Sequence, residues 1–355
     1  MIYKNAIINN EKKDILTKDG LIVKIDNEIA GIGDKEYDFN GKKVYPGLID
    51  IHSHGCIGYD TMDGGKLEEM SIYMAKNGIT SWLPTTMTMD FETIKSVTNV
   101  DLKQGRGAEI LGFHMEGPYI SPKYKGAQNE KYIKKPDINE FNALKNIKMV
   151  TIAPELEGSM DFIKKCNAVV SLGHTAADYE TAKAAIKCGA KCLTHTFNAM
   201  APIHHRNPGP IGAAYDENIF AQVICDGIHI HPCAVKILYK IFGSERMILI
   251  SDSMRATGLD DGSYEFGGQN ITVKNSVAKT SGGEIAGSTS NLYKCVLKAI
   301  EFGLPEREAF KMASETPSKL LGINKGMLKE GFDADFIAVN DDLTINNIVI
   351  KGEIF

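Results

Sequence analysis

The sequence predicts an α/β protein: a (β/α)8 TIM-like barrel over residues 46–334, with a small β-sandwich domain built from residues 1–45 and 335–355. Eight short apolar runs lack period-two polarity and are separated by helical patterns, which is how buried parallel strands read. The two chain ends are instead short extended pieces punctuated by Asn, Asp and Gly. Most of the nine histidines fall where the eight runs end.

The N-terminal pieces are 3–8, 21–25 and 37–39, and the C-terminal ones are 334–339, 345–350 and 352–355. None can bury much apolar surface alone, so pairing the two chain ends into one β domain is the economical arrangement. The eight buried runs are 44–51, 80–84, 109–113, 150–153, 169–172, 192–194, 221–225 and 247–250. Helical stretches intervene, as at 66–76, 179–187 and 232–241.

At 355 residues the chain has room for one large domain and a small appended one. The N-terminus Met1-Ile2-Tyr3-Lys4-Asn5-Ala6 lacks the apolar core of a signal peptide, and no apolar run is long enough to cross a bilayer. Seven cysteines without a disulfide framework suit a reducing cytoplasm, and Cys188 and Cys192 read as packing residues. A net charge of −5 without a basic run argues against nucleic acid or an anionic membrane as partner. An anionic ligand must then be caught by a few local groups.

In a barrel of this kind the chemistry sits at the carboxyl ends of the strands. The first run ends in His52 and His54, whose i, i+2 spacing puts both side chains on one side of a strand. The third ends at His114 and Glu116, the fourth at Glu155, the fifth at His174 and the sixth at His195. The seventh ends at Asp226 with His229 close by, and the eighth at Asp252. A lone histidine is usually structural, but this set on one rim points to a metal site. Four histidines (His52, His54, His174, His195) with Glu116 and Asp252 suit two divalent ions, Zn²⁺ or Fe²⁺, whereas Mg²⁺ or Ca²⁺ would want mostly oxygen ligands. The fourth run has no lysine at its mouth, so Glu116 is the carboxylate to bridge two ions, and Asp252 is placed to move a proton. Cys56 and Met200 read as packing, His204-His205 as a solvated loop or a phosphate contact, and 264–279 as a hairpin without assigned chemistry.

Five motifs resemble the amidohydrolase superfamily, and within it the N-acetylglucosamine-6-phosphate deacetylases: His52-Ser53-His54, His114-Met115-Glu116-Gly117-Pro118, Gly173-His174-Thr175, Thr194-His195-Thr196-Phe197-Asn198-Ala199-Met200 and Ser251-Asp252. The likeness spans the chain, taking in Arg206-Asn207-Pro208-Gly209, Asp226-Gly227-Ile228-His229 and Ala286-Gly287-Ser288-Thr289. The first motif is superfamily-wide; the second and fourth are far more specific. The resemblance implies that Glu116, His174 and His195 hold the ion common to these enzymes. His52 and His54 match members that bind a second one. It implies Asp252 as acid/base, and Asn198, Ala199, His229 and Arg206 as holders of the sugar phosphate, the arginine reaching in from the neighbouring subunit of a homodimer. Gln128 stands where the family usually has a histidine that polarises the acetyl carbonyl; an amide can donate there but carries no charge. The implied reaction is hydrolysis of N-acetylglucosamine 6-phosphate to glucosamine 6-phosphate and acetate, in amino-sugar catabolism. Another amidohydrolase, acting on a cyclic amide or an N-acyl-amino acid, would keep the metal ligands without needing Arg206 or His229. A non-catalytic scaffold would have lost ligands, and here all six are present.

Overall fold

The computed structural model describes residues 1–30, 35–102 and 105–355. Eight strands follow one another round a barrel: β1 (Leu48–Ser53), β2 (Ile79–Thr86), β3 (Phe113–Glu116), β4 (Ile147–Ile152), β5 (Val169–Leu172), β6 (Cys192–Leu193), β7 (Phe220–Ile224) and β8 (Met247–Ile250). Each pairs in parallel with the next. The last returns to the first just beyond its end, where the Asp252 N–H donates to the His52 carbonyl at 2.9 Å and Ser53 bridges Ser253.

Buried composition explains the closure. Every residue of β1 and β2 is buried. Ile49, Leu83, Met149, Cys192, Ile224 and Ile250, from six different strands, meet in one apolar cluster. Strands in a ring can do that only through its interior. The opposite faces pack on the surrounding helices, as Trp82, Leu193 and Leu249 do with Met74 and Leu238. The helix at Tyr179–Cys188 begins where the Asp178 carboxylate accepts the Thr181 N–H, and Asn291 caps Leu292–Glu301 in the same way. Among the described residues no helix is long and apolar enough to cross a membrane.

Both chain ends contribute to a second, eight-stranded sheet, joined where Lys43–Pro46 runs antiparallel to Phe336–Val339. It has its own core, in which the Tyr3 ring lies 5.3 Å from Phe39 and 5.0 Å from Phe336. Within it the strand Ile2–Ile8 pairs first with Glu36–Asp38 and then with Lys43. The exchange happens at a bulge where Asn5 takes φ +56°.

Two runs fall differently from expectation. The run 44–51, expected as one strand, divides at Gly47, so that Lys43–Pro46 joins the terminal sheet and Leu48–Ser53 the barrel. A Cβ at Gly47 would lie 2.3 Å from Thr80 Oγ1, so the chain can cross between the sheets here only without a side chain. In the run 109–113 only Glu109–Ile110 pairs with β2. Gly112, at φ +138°, redirects the chain, and the strand that carries His114 and Glu116 begins at Phe113. The sequence reading missed the strand Glu11–Lys18, whose charged start faces solvent.

At the foot of the barrel the buried Lys325 ammonium meets Asp333, Glu109 Oε2 at 2.9 Å and Asp335 Oδ2 at 3.0 Å. Burial alone would lower its pKa; the carboxylates outweigh that and raise it. Lys325→Met removes the charge that all three acids share and leaves only Lys351, 3.1 Å from Glu109 Oε2; breaking a buried ion pair costs about 3–5 kcal/mol. The urea midpoint of unfolding at neutral pH should fall accordingly; an unchanged midpoint would mean that solvent replaces the ammonium.

Candidate metal and active site

The alternation of β1 and β3 and the ends of β5, β6 and β8 bring His52, His54, Glu116, His174, His195 and Asp252 to one rim. All six side chains are buried. Each of the four imidazoles is fixed by its Nδ1: His52 to Gln222 Oε1 (3.1 Å), and His54, His174 and His195 to the carbonyls of Thr85 (3.2 Å), Tyr124 (2.8 Å) and Asn198 (3.2 Å). Gln222 Oε1 also faces the His195 N–H at 3.4 Å, which identifies it as the amide oxygen. Acceptors at every Nδ1 assign the proton there and leave each Nε2 with a lone pair.

Those lone pairs converge. The Nε2 atoms are 3.3 Å apart in His52–His54 and 3.1 Å apart in His174–His195. Glu116 lies between the pairs, with Oε1 2.9 Å from His195, 3.3 Å from His174 and 3.3 Å from His52, and Oε2 3.3 Å from His54. Two groups capable of holding a metal ion result, His52/His54/Glu116 and Glu116/His174/His195, sharing one carboxylate. Facing lone pairs with no proton between them repel unless a cation intervenes, and a nitrogen-rich set with one carboxylate fits a borderline divalent ion. Burial would raise the Glu116 pKa; positive charge at the imidazoles, His52 first, holds it well below the ordinary value, and with the protons on Nδ1 an ion held by the Nε2 atoms is what would supply that charge. Asp252 Oδ1 stands 3.2 Å from His54 Nε2 and 3.5 Å from His52 Nε2, where the same positive charge would outweigh burial and hold its pKa below the ordinary value.

The backbone at the rim is unusual. His174, His195 and Asp252 have φ of +46°, +27° and +48°, a region that non-glycine residues enter at a cost. At Asp252 the flanking bonds hold this conformation, from its own N–H to His52 O (2.9 Å) and from the Ser288 N–H to its carbonyl (2.7 Å). After Glu116 the chain turns at Gly117, φ +76°, where a Cβ would come within 2.0 Å of Thr88 Oγ1.

Two rim candidates have other work. His114 bonds the Ile51 carbonyl (3.1 Å) and Thr151 Oγ1 (2.8 Å), with its ring 4.5 Å from that of His52. Burial pushes its pKa well down, so it is a neutral support under His52. Glu155 accepts from Thr175 and from the Ala176 N–H (2.6 Å), fixing the turn beyond His174.

Above the rim is a cavity of about 290 Å³. Gln128, Asn198, Ala199 and His229 line it. His229 Nδ1 is 2.7 Å from Asp226 Oδ2; burial lowers the imidazole's pKa, and the carboxylate more than reverses this. Arg206 is not in this cavity. It is exposed on the loop after β6, beside Asp178 and Tyr179, with Nη1 2.7 Å from His205 Nε2. Gln128 is buried, and its Nε2 donates to Glu116 Oε2 at 2.6 Å.

Sequence reasoning missed Gln222, although a glutamine inside the apolar run Phe220-Ala221-Gln222-Val223-Ile224 was a signal. It also missed Phe266, whose ring stands edge-on to His54 at 5.2 Å. That residue belongs to a three-stranded sheet (Gly262–Phe266, Gln269–Lys274, Val277–Thr280) at 264–279 and just around it, which walls the cavity.

Residues 44–355 match the amidohydrolase family. A Bacillus subtilis (strain 168) protein named N-acetylglucosamine-6-phosphate deacetylase is 40% identical over 333 residues, covering 88% of this chain and 84% of its own. An Escherichia coli O157:H7 protein named N-acetylgalactosamine-6-phosphate deacetylase is 34% identical over 354 residues, 95% of this chain and 93% of its own. The crystal structure of N-acetylglucosamine-6-phosphate deacetylase from Thermotoga maritima superposes with a TM-score of 0.90 at 32% identity, covering 100% of this chain and 99% of that one. A mutant of the Mycobacterium smegmatis enzyme, in complex with N-acetyl-D-glucosamine-6-phosphate, gives 0.92 at 29% identity, with 100% and 98% covered. The chain belongs to the amidohydrolase family, among its N-acetylglucosamine-6-phosphate deacetylases.

Proposed function

We propose that the protein hydrolyses the acetamide of N-acetylglucosamine 6-phosphate to glucosamine 6-phosphate and acetate, with two divalent ions, zinc or iron, held by His52, His54, Glu116, His174 and His195. The observation that carries this reading is the cavity in which His54, His174, His195, Glu116 and Asp252, with His52 beneath them, form the floor and Asn198, Ala199 and His229 the wall. When bound, such ions lower the pKa of water from 15.7 to about 7 and polarise a carbonyl. Asp252, ionised and directed at the floor, accepts the proton of the attacking water and returns it to the departing amine, which would otherwise leave poorly. The Asp226–His229 pair presents an imidazole whose pKa the carboxylate raises, which suits the anionic end of the substrate. Asn198 and Ala199 orient the sugar, and Phe266 dries one side of His54. Seven free thiols support a cytoplasmic setting.

The assay that tests this uses chelator-stripped protein, before and after zinc or ferrous iron, on the 6-phosphates of N-acetylglucosamine, N-acetylgalactosamine and N-acetylmannosamine, and on an N-acyl-amino acid. Metal-restored acetate release, greatest with N-acetylglucosamine 6-phosphate, is expected. Turnover confined to the N-acyl-amino acid would overturn the reading.

Metal content tests the two-ion arrangement. The metal-replete protein should hold near two ions per chain, and replacing His52 with Asn and His54 with Gln together should bring this towards one. A protein that never exceeds one ion rejects it. Asp252→Asn keeps shape and removes the acceptor, so kcat should fall on the order of 10²–10⁴-fold with little change in substrate affinity. Near-normal turnover would move the proton elsewhere.

The phosphate also needs a cation from outside the chain's own cavity. Arg206 is exposed and away from it, on a segment that also exposes Ile203 (44%) and Tyr215 (53%), which suits a homodimer in which Arg206 serves the neighbouring site. A charge-assisted contact of this kind contributes about 1.5–3 kcal/mol. Arg206→Ala should lower kcat/KM on the phosphorylated sugar roughly ten- to a hundred-fold. Exchanging subunits between Arg206→Ala and Asp252→Asn should create one intact site per mixed dimer and restore activity above either parent; no recovery after proven exchange would place Arg206 within its own chain's chemistry or none.

A further inference from the structure

Gln128 is 3% exposed and both ends of its amide are engaged. The Thr88 backbone N–H donates to Oε1 at 2.7 Å. A backbone N–H can only donate, so this contact settles which end of the amide is oxygen. The NH2 group therefore faces Glu116, giving one hydrogen to Oε2 at 2.6 Å and turning the other toward Met87 Sδ at 3.9 Å. No amide hydrogen is left directed at the space an acetyl carbonyl would enter. The segment that carries Gln128 is pinned at three further points. Tyr124 O meets His174 Nδ1 (2.8 Å), Lys125 O accepts the Gln128 N–H (2.9 Å), and Ala127 O accepts from Gln269 Nε2 (2.6 Å).

We propose that Gln128 is a positioning residue for Glu116 and does not act on the acetyl carbonyl. A donor on Oε2 fixes the rotation of the carboxylate about its last bond, so that Oε1 meets His52, His174 and His195 while Oε2 stays on the His54 side. A neutral amide does this without altering the charge of the ligand set, whereas a protonated imidazole there would offset part of the carboxylate's charge. Such a partner sets how tightly the ligand can hold an ion, and its loss typically costs 10–100-fold in metal affinity. The inference rests on the metal-hydrolase reading above.

The test is zinc affinity, measured by competition with a chromophoric chelator, for the unmodified protein, Gln128→Ala and Gln128→Met. The methionine variant keeps most of the side-chain volume if alanine fails to fold, and thermal unfolding of the zinc-free proteins verifies the fold. Both variants should bind zinc roughly 10–100-fold more weakly, with acetate release recovering as zinc is raised to saturation and KM for the sugar phosphate little changed. Zinc affinity equal to the unmodified protein's, with kcat still reduced at saturation, would overturn the proposal and return Gln128 to the substrate. An unmodified protein that binds no zinc or ferrous iron would sink the metal-hydrolase reading itself, whatever the variants do.

Discussion

The structure depends on one buried carboxylate that four imidazoles face. An isolated charge as deep as Glu116 would be prohibitive in an apolar barrel, and cations held between it and the imidazoles are what would make it tenable. The imidazoles are aimed there by acceptors on four different segments: Thr85 on β2, Gln222 on β7, and the loop carbonyls of Tyr124 and Asn198. The loops above the rim are therefore fastened to the same rings that would hold the ions. A change in ligand geometry reaches the loops over the cavity through a single hydrogen bond, and a loop change reaches the ligands as directly.

The local strain has the same origin. Parallel strands deliver side chains alternately to the two faces, and only some of the ligands lie where alternation alone would aim them. His174, His195 and Asp252 reach the site by taking positive φ just after β5, β6 and β8. Such conformations persist only when neighbours over-determine them, and here Nδ1 bonds and the β8–β1 closure do so. Beneath, His114, Thr151 and Thr194 form a buried polar layer, with Thr151 Oγ1 2.8 Å from His114 and 2.9 Å from Thr194 Oγ1. Polar groups at that depth are paired, so the layer lifts the site off the apolar floor without orphaned donors.

Much of this was legible from residue spacing. The i, i+2 histidines converge if the run 44–51 leads into them as a strand, and the remaining ligands lay where apolar runs stopped. What stayed hidden was set by partners distant in sequence. His114 ends an apolar run as the ligand histidines do, and only the folded strand, starting at Phe113, shows it a layer below the rim and bonded to Thr151. The continuous apolar run through Gly47 conceals a change of sheet, because only contact with Thr80 forbids a side chain there. The orientation of the Gln128 amide was equally hidden, because nothing nearby in sequence announces Thr88 as the donor to its oxygen. Phe266 sits in a hairpin without any motif, and only the folded chain lays it on His54.

Charge decides how a sugar phosphate is accommodated. The chain is net −5, and the cavity is lined by Glu116, Asp252 and Glu284, with no lysine or arginine among the described residues that line it. A dianion entering such a space would be repelled unless positive charge met it at both ends. At the floor, cations held by the proposed ligands would offset the two carboxylates and draw the acetamide end toward them. At the wall, the Asp226–His229 pair supplies at most one positive charge, part of it already committed to Asp226 at 2.7 Å. That leaves the phosphate short of compensation within one chain. Arg206, exposed and outside its own cavity, is the kind of group a neighbouring copy could contribute. On the proposed reading the site is electrostatically complete only in the dimer, so phosphate recognition and subunit association are two consequences of the same missing charge.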